Sequence, residues 1–115
     1  MRIKLSPQRR DDGLEVFKTG HSLVVNGETF DFSTMADGDT LPRAAIASGW
    51  FAGDVDKDGG ELTLTLLFPL PFNFSQEQAF PVDLIDVPDG AVAFPRPLPL
   101  PAPEAQTELT QEAPV

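Results

Sequence analysis

The amino-acid sequence predicts an all-β fold, a small antiparallel β-sandwich or barrel with one short helix, and three observations lead to it. Residues 61–66 alternate between polar and leucine side chains, which is the period of a half-buried strand. The pair Asn26-Gly27 separates two strand-like runs and is a preferred centre for a type I′ hairpin turn. Turn signals rich in Gly, Pro and Asp separate the other apolar runs, which is typical of an all-β domain.

The predicted elements follow from these signals in chain order. Six or seven short strands are expected, at residues 2–5, 14–19, 22–25, 28–32, 50–55, 61–68 and 82–87, with residues 91–94 closing the domain. A short helix is predicted over residues 40–47, where Pro42 stands in the first turn and needs no N–H partner. Residues 72–79 are predicted as a loop, with one helical turn capped by Ser75 as the alternative.

The composition changes at Pro95, which divides the chain into a β-rich domain at 1–94 and an extended tail at 95–115. Prolines alternate with other residues from 95 to 103, and an acidic stretch follows. Such a segment buries too little apolar area to offset its chain entropy, so the domain is expected to fold without it. Recognition of polyproline by SH3-like domains needs prolines three residues apart, and here they are two apart. The tail is instead predicted to bind a partner through Arg96, Leu98 and Leu100.

Charge and composition narrow the classes of partner. The 115 residues carry a net charge of −10, which disfavours binding to nucleic acid and to anionic membranes. Half of the basic residues lie in the first ten positions, at Arg2, Lys4, Arg9 and Arg10. We expect them on a solvated strand edge, where they discourage unwanted pairing. A basic patch that meets an acidic neighbour, such as a second copy of the chain, is the alternative.

No segment of the sequence has the pattern of a targeting signal or a membrane span. The N-terminus lacks an apolar run, and the longest apolar stretch, residues 64–74, is interrupted by prolines and polar residues. The sequence therefore predicts a protein that is made in the cytoplasm and is soluble. Since cysteine is absent, neither disulfides nor thiolate metal sites are available.

The sequence predicts neither an enzyme nor a cofactor. Residues 54–59 match the opening of a calcium loop, but its twelfth position is Thr65 where a bidentate Glu is needed, so we interpret the segment as a hairpin turn. His21 is the only histidine, which leaves no Cys–His pair or histidine metal cluster. Acidic pairs such as Asp37/Asp39 and Asp83/Asp86 flank turns and arise by chance in so acidic a chain.

Several short segments carry a resemblance to a known class of protein. They are RIKLSP at 2–7, NGETFDF at 26–32, DGDTLP at 37–42, WFAGDV at 50–55 and GELTLTLL at 60–67. Residues 1–94 thereby resemble small proteins encoded in the tail modules of Mu-like siphophages and related prophages. The resemblance implies a structural virion protein of the tail tip, baseplate or tail fibres, made in the host cytoplasm. It implies other phage tail proteins as partners and no catalytic residue. A non-virion assembly chaperone for the tail or its fibres is the alternative.

Overall fold

The computed structural model describes residues 1–99, which form two four-stranded β-sheets and one short helix. Leu100 and the remainder of the predicted tail lie outside these residues. The strands are β1 (Arg2–Arg9), β2 (Val16–Thr19), β3 (Ser22–Val25), β4 (Glu28–Asp31), β5 (Thr40–Leu41), β6 (Val55–Asp58), β7 (Glu61–Leu70) and β8 (Gly90–Ala91), and the helix is α1 (Gln76–Ala79). The first sheet has the order β1-β7-β6-β5 and the second β4-β3-β2-β8. The predicted all-β class is confirmed.

Strand β7 is the centre of the first sheet and buries one face along its length. Leu62, Leu64, Leu66 and Phe68 are buried while the residues between them are partly exposed, as the alternation predicts. On one side β7 pairs antiparallel with β6, and on the other it pairs parallel with β1. The parallel pair departs from the expected antiparallel arrangement. No hairpin joins β1 to β7, so no turn fixes their direction, and the intervening chain is long enough for a parallel crossover.

The predicted hairpin at Asn26-Gly27 is present and joins β3 to β4. Both turn residues have positive φ, 47° for Asn26 and 86° for Gly27. The Asn26 side chain also fastens the turn to the neighbouring chain, since Oδ1 accepts the Glu15 N–H and Nδ2 donates to the Gly13 carbonyl. Val25 pairs with Glu28 across the turn, so its geometry sets the register of the whole hairpin.

Replacing Gly27 with Val is expected to destabilise the domain through its backbone alone. A Cβ at this position meets no atom within 4 Å, but a β-branched residue resists a positive φ. The expected cost is about 1–2 kcal/mol, measured as a lower melting temperature. Gly27→Asn is the matched control, because Asn tolerates the left-handed region. Its melting temperature should fall less than that of Gly27→Val. Equal melting temperatures for the wild type and Gly27→Val would contradict this account of the turn.

The hydrophobic core lies between the sheets and draws on both. Phe51 is 0% exposed and makes edge-to-face contacts with Phe30 and Phe32, at centroid distances of 5.0 and 6.0 Å. Phe51 also forms an isolated bridge with Leu66 of β7, while Phe30 lies in β4 of the second sheet and Phe32 directly follows β4. The three rings therefore connect the sheets. Other fully buried side chains are those of Ile3, Val16, Leu23, Val25, Val55, Leu62 and Leu64.

The prediction of a helix over residues 40–47 is wrong. The one α-helix within residues 1–99 is α1, at Gln76–Ala79. Thr40–Leu41 forms strand β5 on β6, and only Arg43–Ala45 makes a 3₁₀ turn. Pro42 disfavours the helical region for Leu41, which stays extended. The Thr40 hydroxyl then donates to Asp56, at 2.6 Å, across this pair of strands.

Two other predicted strands are shorter than expected. Residues 50–52 pair with β7 through the Ala52 N–H to Thr65 carbonyl bond and the Leu67 N–H to Trp50 carbonyl bond, but β6 begins only at Val55. In the run at 82–87, Leu84 alone makes a β-bridge, to Ile3, and Asp86 has a φ of 53° that ends the extended conformation. In both places the sequence favours a longer strand than the one that finds a pairing partner in the fold.

An ion pair closes the end of the second sheet near β8. Lys18 of β2 donates to Asp89 Oδ1 at 2.7 Å, and the Gly20 N–H donates to the same oxygen at 3.1 Å. The hydrogen bond from Lys18, followed by that from Gly20, holds the pKa of Asp89 below its ordinary value. A carboxyl group with a depressed folded-state pKa stabilises the protein above the unfolded pKa of about 3.9, and the effect is lost as the pH falls through the folded pKa.

Asp89→Asn is therefore expected to lower the melting temperature at pH 7. The difference from the wild type should shrink below about pH 4 and vanish once Asp89 is protonated in the folded protein. Asp58→Asn is the matched control, because it removes an exposed aspartate without removing this ion pair, and its melting temperature at pH 7 should stay close to that of the wild type. If the melting temperatures of Asp89→Asn and the wild type differ by the same amount at every pH, the charge of Asp89 contributes nothing to stability.

Candidate protein-docking surface

The chain that follows β7 carries most of the exposed apolar side chains of residues 1–99. The seven large hydrophobic side chains with high exposure are those of Phe17, Phe72, Phe74, Phe80, Val82, Ile85 and Leu98. Six of them belong to residues 72–98, and only Phe17 lies elsewhere, on β2. Residues 72–98 contain α1, the bridge at Leu84 and the two-residue strand β8, but little other regular structure.

Part of this segment forms an open groove, which we call the C-terminal groove. Its walls are Phe80, Val82, Phe94 and Pro95, with the charged side chains of Glu77 and Arg96 also lining it. The volume of the groove is about 580 Å³. An apolar floor with a few charged groups at its border is typical of a site that takes side chains from another molecule.

Helix α1 is short, and a capping box holds it in place beside the groove. The Ser75 Oγ accepts the Gln78 N–H at 3.2 Å, and the Gln78 side-chain oxygen accepts the Ser75 N–H at 3.1 Å. Both residues are nearly buried, with 4% and 5% of their surface exposed. This is the helical turn that the sequence offered as an alternative for residues 72–79, and the reciprocal bonds explain why a four-residue helix is defined there.

The same polar residues hold the first part of the predicted tail against the domain. Ser75 Oγ donates to the Arg96 carbonyl at 2.6 Å, and Gln78 Nε2 donates to the Pro95 carbonyl at 3.3 Å. Asn73 binds Leu98 in both directions, because its Nδ2 donates to the Leu98 carbonyl and its own carbonyl accepts the Leu98 N–H. Residues 95–98 are thus hydrogen-bonded to the domain, although the composition places the boundary at Phe94.

Of the three tail residues that the sequence singles out, two lie on this surface. Arg96 lines the C-terminal groove, and the Leu98 side chain is about half exposed beside Asn73. Leu100 lies outside the described residues. Sequence reasoning missed Asn73, Ser75 and Gln78 as partners of the tail. The Ser-x-x-Gln spacing of a capping box was the available signal, but it does not show that the same side chains bind a second segment.

The basic residues near the N-terminus are largely neutralised by aspartates of the same domain. The three ion pairs are Arg2–Asp83 at 3.7 Å, Arg9–Asp11 at 2.8 Å and Arg10–Asp12 at 2.6 Å. Arg10 also lies over the Trp50 ring, 4.6 Å from its centroid. This pairing favours the expected solvated edge over a basic patch for an acidic partner, because little uncompensated positive charge remains there.

The acidic turns that suggested chemistry have local structural partners. Asp54 accepts the Arg43 N–H, Asp39 accepts the Ala36 N–H and Asp37 accepts the Gly60 N–H, so each carboxylate fastens a turn. Within residues 1–99, no group of three or more His, Asp or Glu side chains is arranged to hold a metal ion. A broad polar depression over the outer face of the first sheet mixes basic and acidic side chains, among them Lys4 and Glu61.

In the part of the chain that the structure describes, no helix is both long and apolar enough to cross a membrane. Compared with protein-family models, with curated proteins and with solved structures, the chain has no significant match.

Proposed function

We propose that this chain is a structural virion protein of a phage tail, at the tail tip, baseplate or fibres, which acts by docking on other tail proteins. The observation that carries the proposal is the concentration of exposed apolar side chains in residues 72–98. Large exposed apolar patches on soluble proteins mark interaction sites, because covering them removes an unfavourable contact with water. The resemblance of residues 1–94 to phage tail-module proteins supplies the class of partner.

The construction of the surface supports a role in stable docking. Aromatic side chains at Phe72, Phe74 and Phe80 are of the type that contributes most to interface cores. The capping box and its hydrogen bonds to residues 95–98 fix the backbone beside the C-terminal groove, which lowers the entropy lost on binding. A rigid, apolar, partly grooved surface on a small β scaffold is suited to holding a neighbouring subunit.

The test is the protein content of purified phage particles. Mass spectrometry should find the chain at a fixed stoichiometry relative to the major tail proteins. Phe80→Thr should reduce its incorporation, whereas Phe17→Thr, which removes an exposed phenylalanine outside residues 72–98, should not. Presence in infected cells together with absence from intact particles would refute the virion role and favour the assembly chaperone instead.

A further inference from the structure

Residues 82–85 run beside the free edge of β1 as an incomplete strand. Leu84 exchanges two backbone hydrogen bonds with Ile3, each 2.9 Å long, and this is the only ladder pair the run makes with residues 1–99. The sequence Val-Asp-Leu-Ile has strand propensity through its β-branched residues. The first sheet therefore ends in a segment that lies beside β1 and pairs with it at a single residue.

The outer edge of this segment offers unpaired backbone groups. The Leu84 N–H and carbonyl both point to β1, so in an extended chain the corresponding groups of Asp83 and Ile85 point the opposite way. Within residues 1–99, none of these four groups has a hydrogen-bond partner. An edge with this spacing can accept one more strand.

The side chains of the segment extend the docking surface to this edge. Val82 is 79% exposed and lines the C-terminal groove, and Ile85 is 55% exposed. By strand alternation, Val82 and Leu84 share one face, while Asp83 and Ile85 share the other. A strand added here would meet apolar side chains on the Val82 face and a carboxylate on the Asp83 face.

Charge identifies the kind of strand that fits. Glu77, Asp83 and Asp86 lie along residues 77–86, and of these only Asp83 has an ion pair within residues 1–99, the long one to Arg2 at 3.7 Å. The chain as a whole carries a net charge of −10, so a second copy would bring like charge to this edge. A basic segment would instead gain electrostatic attraction.

We propose that the edge at residues 82–85 receives an extended segment of another protein, with alternating apolar and basic side chains, as an additional strand of the first sheet. This inference rests on the proposed docking function and specifies its mode. Backbone hydrogen bonds at Asp83 and Ile85 hold the segment, its apolar side chains contact Val82 and the C-terminal groove, and its basic side chains pair with Asp83.

The probe for this mode is an end-blocked eight-residue peptide of alternating Val and Lys, with a Val/Glu peptide as control. Amide exchange of Asp83 and Ile85, followed by NMR on the full chain, should be fast in the free protein. The Val/Lys peptide should slow exchange at both amides at least about tenfold, and the Val/Glu peptide should leave it unchanged. Added salt should weaken the effect.

Two variants of Ile85 distinguish the contribution of its backbone N–H to peptide binding from that of its side chain. Ile85→Pro removes the outward N–H, which has no partner within residues 1–99, whereas Ile85→Ala removes only the side chain. The peptide should bind the Ala variant and fail to bind the Pro variant, with similar melting temperatures for both. Equal binding to the two variants, or no protection at millimolar peptide, overturns the proposal. Protection that rises with protein concentration alone also overturns it, because the occupant is then a second copy.

The outcomes are distinct from those for the proposed function. If the chain is present in particles but the peptide does not protect the two amides, the docking function stands and strand addition fails. If the peptide protects them but the chain is absent from particles, strand addition stands and the virion role fails.

Discussion

Phe51→Ala is expected to cause a larger loss of stability than Gly27→Val or Asp89→Asn. Phe51 is 0% exposed, and its ring contacts Phe30 in β4 and Phe32 just after β4. Truncation of a buried phenylalanine costs about 3–5 kcal/mol, since the transfer energy is lost and a cavity remains. Small domains have free energies of unfolding of about 5–15 kcal/mol, so a large share of the stability would be lost.

Urea denaturation of the full chain measures this effect. Phe51→Leu is the matched control, because it keeps most of the apolar volume, and its loss should be well below that of Phe51→Ala. The slope of the transition should change little if the folded state keeps its architecture. A loss under about 1 kcal/mol for Phe51→Ala would mean that the sheets pack without the three-ring contact.

Deletion of residues 95–115 is expected to destabilise the domain more than deletion of residues 100–115. The longer deletion removes the acceptors of Ser75 and Gln78 and both bonds between Asn73 and Leu98. Each hydrogen bond contributes about 0.5–1.5 kcal/mol, so the expected loss from the four bonds is about 2–6 kcal/mol. A difference in melting temperature between the two truncated chains would therefore show that the folded domain extends past Phe94.

Thermal unfolding of the two truncated chains checks this expectation. The melting temperature of the chain that ends at Phe94 should fall by at least about 8 °C. In a domain of this size, each kcal/mol of lost stability lowers the melting temperature by about 4 °C or more. Asn73→Ala in the full chain should reproduce part of the fall, because it removes one of the four bonds. Identical melting temperatures for the chains ending at Phe94 and Pro99 would mean that residues 95–98 lie on the domain without stabilising it.

The sequence predicted the elements whose signals are local and missed those decided by tertiary contacts. The Asn26-Gly27 turn and the buried face of β7 depend on turn chemistry and on period-two alternation, and both are present. At residues 40–47 the helical pattern lost to the pairing of Thr40–Leu41 with β6. The parallel pairing of β1 with β7 had no local signal, since strand direction depends on how the intervening chain folds.

The candidate site was predictable only in part, for a similar reason. Composition singled out Arg96 and Leu98, because the proline-rich run is visible in the sequence. The hydrogen bonds from Asn73, Ser75 and Gln78 to that run join residues about twenty positions apart. Their side chains have ordinary local roles, such as capping α1, so no pattern in the sequence marks the second role.

The parallel pairing of β1 with β7 also determines when the protein can fold during its synthesis. Ile3 pairs with Leu64, about sixty residues later, so β1 has no partner strand in its sheet until β7 has left the ribosome. At about 5–20 residues per second, the ribosome needs several seconds to supply that partner. Contacts of such sequence separation also slow folding itself. The nascent chain therefore exposes the apolar face of β1 throughout that interval, when Arg2, Lys4 and Arg9 on the same strand would discourage premature association.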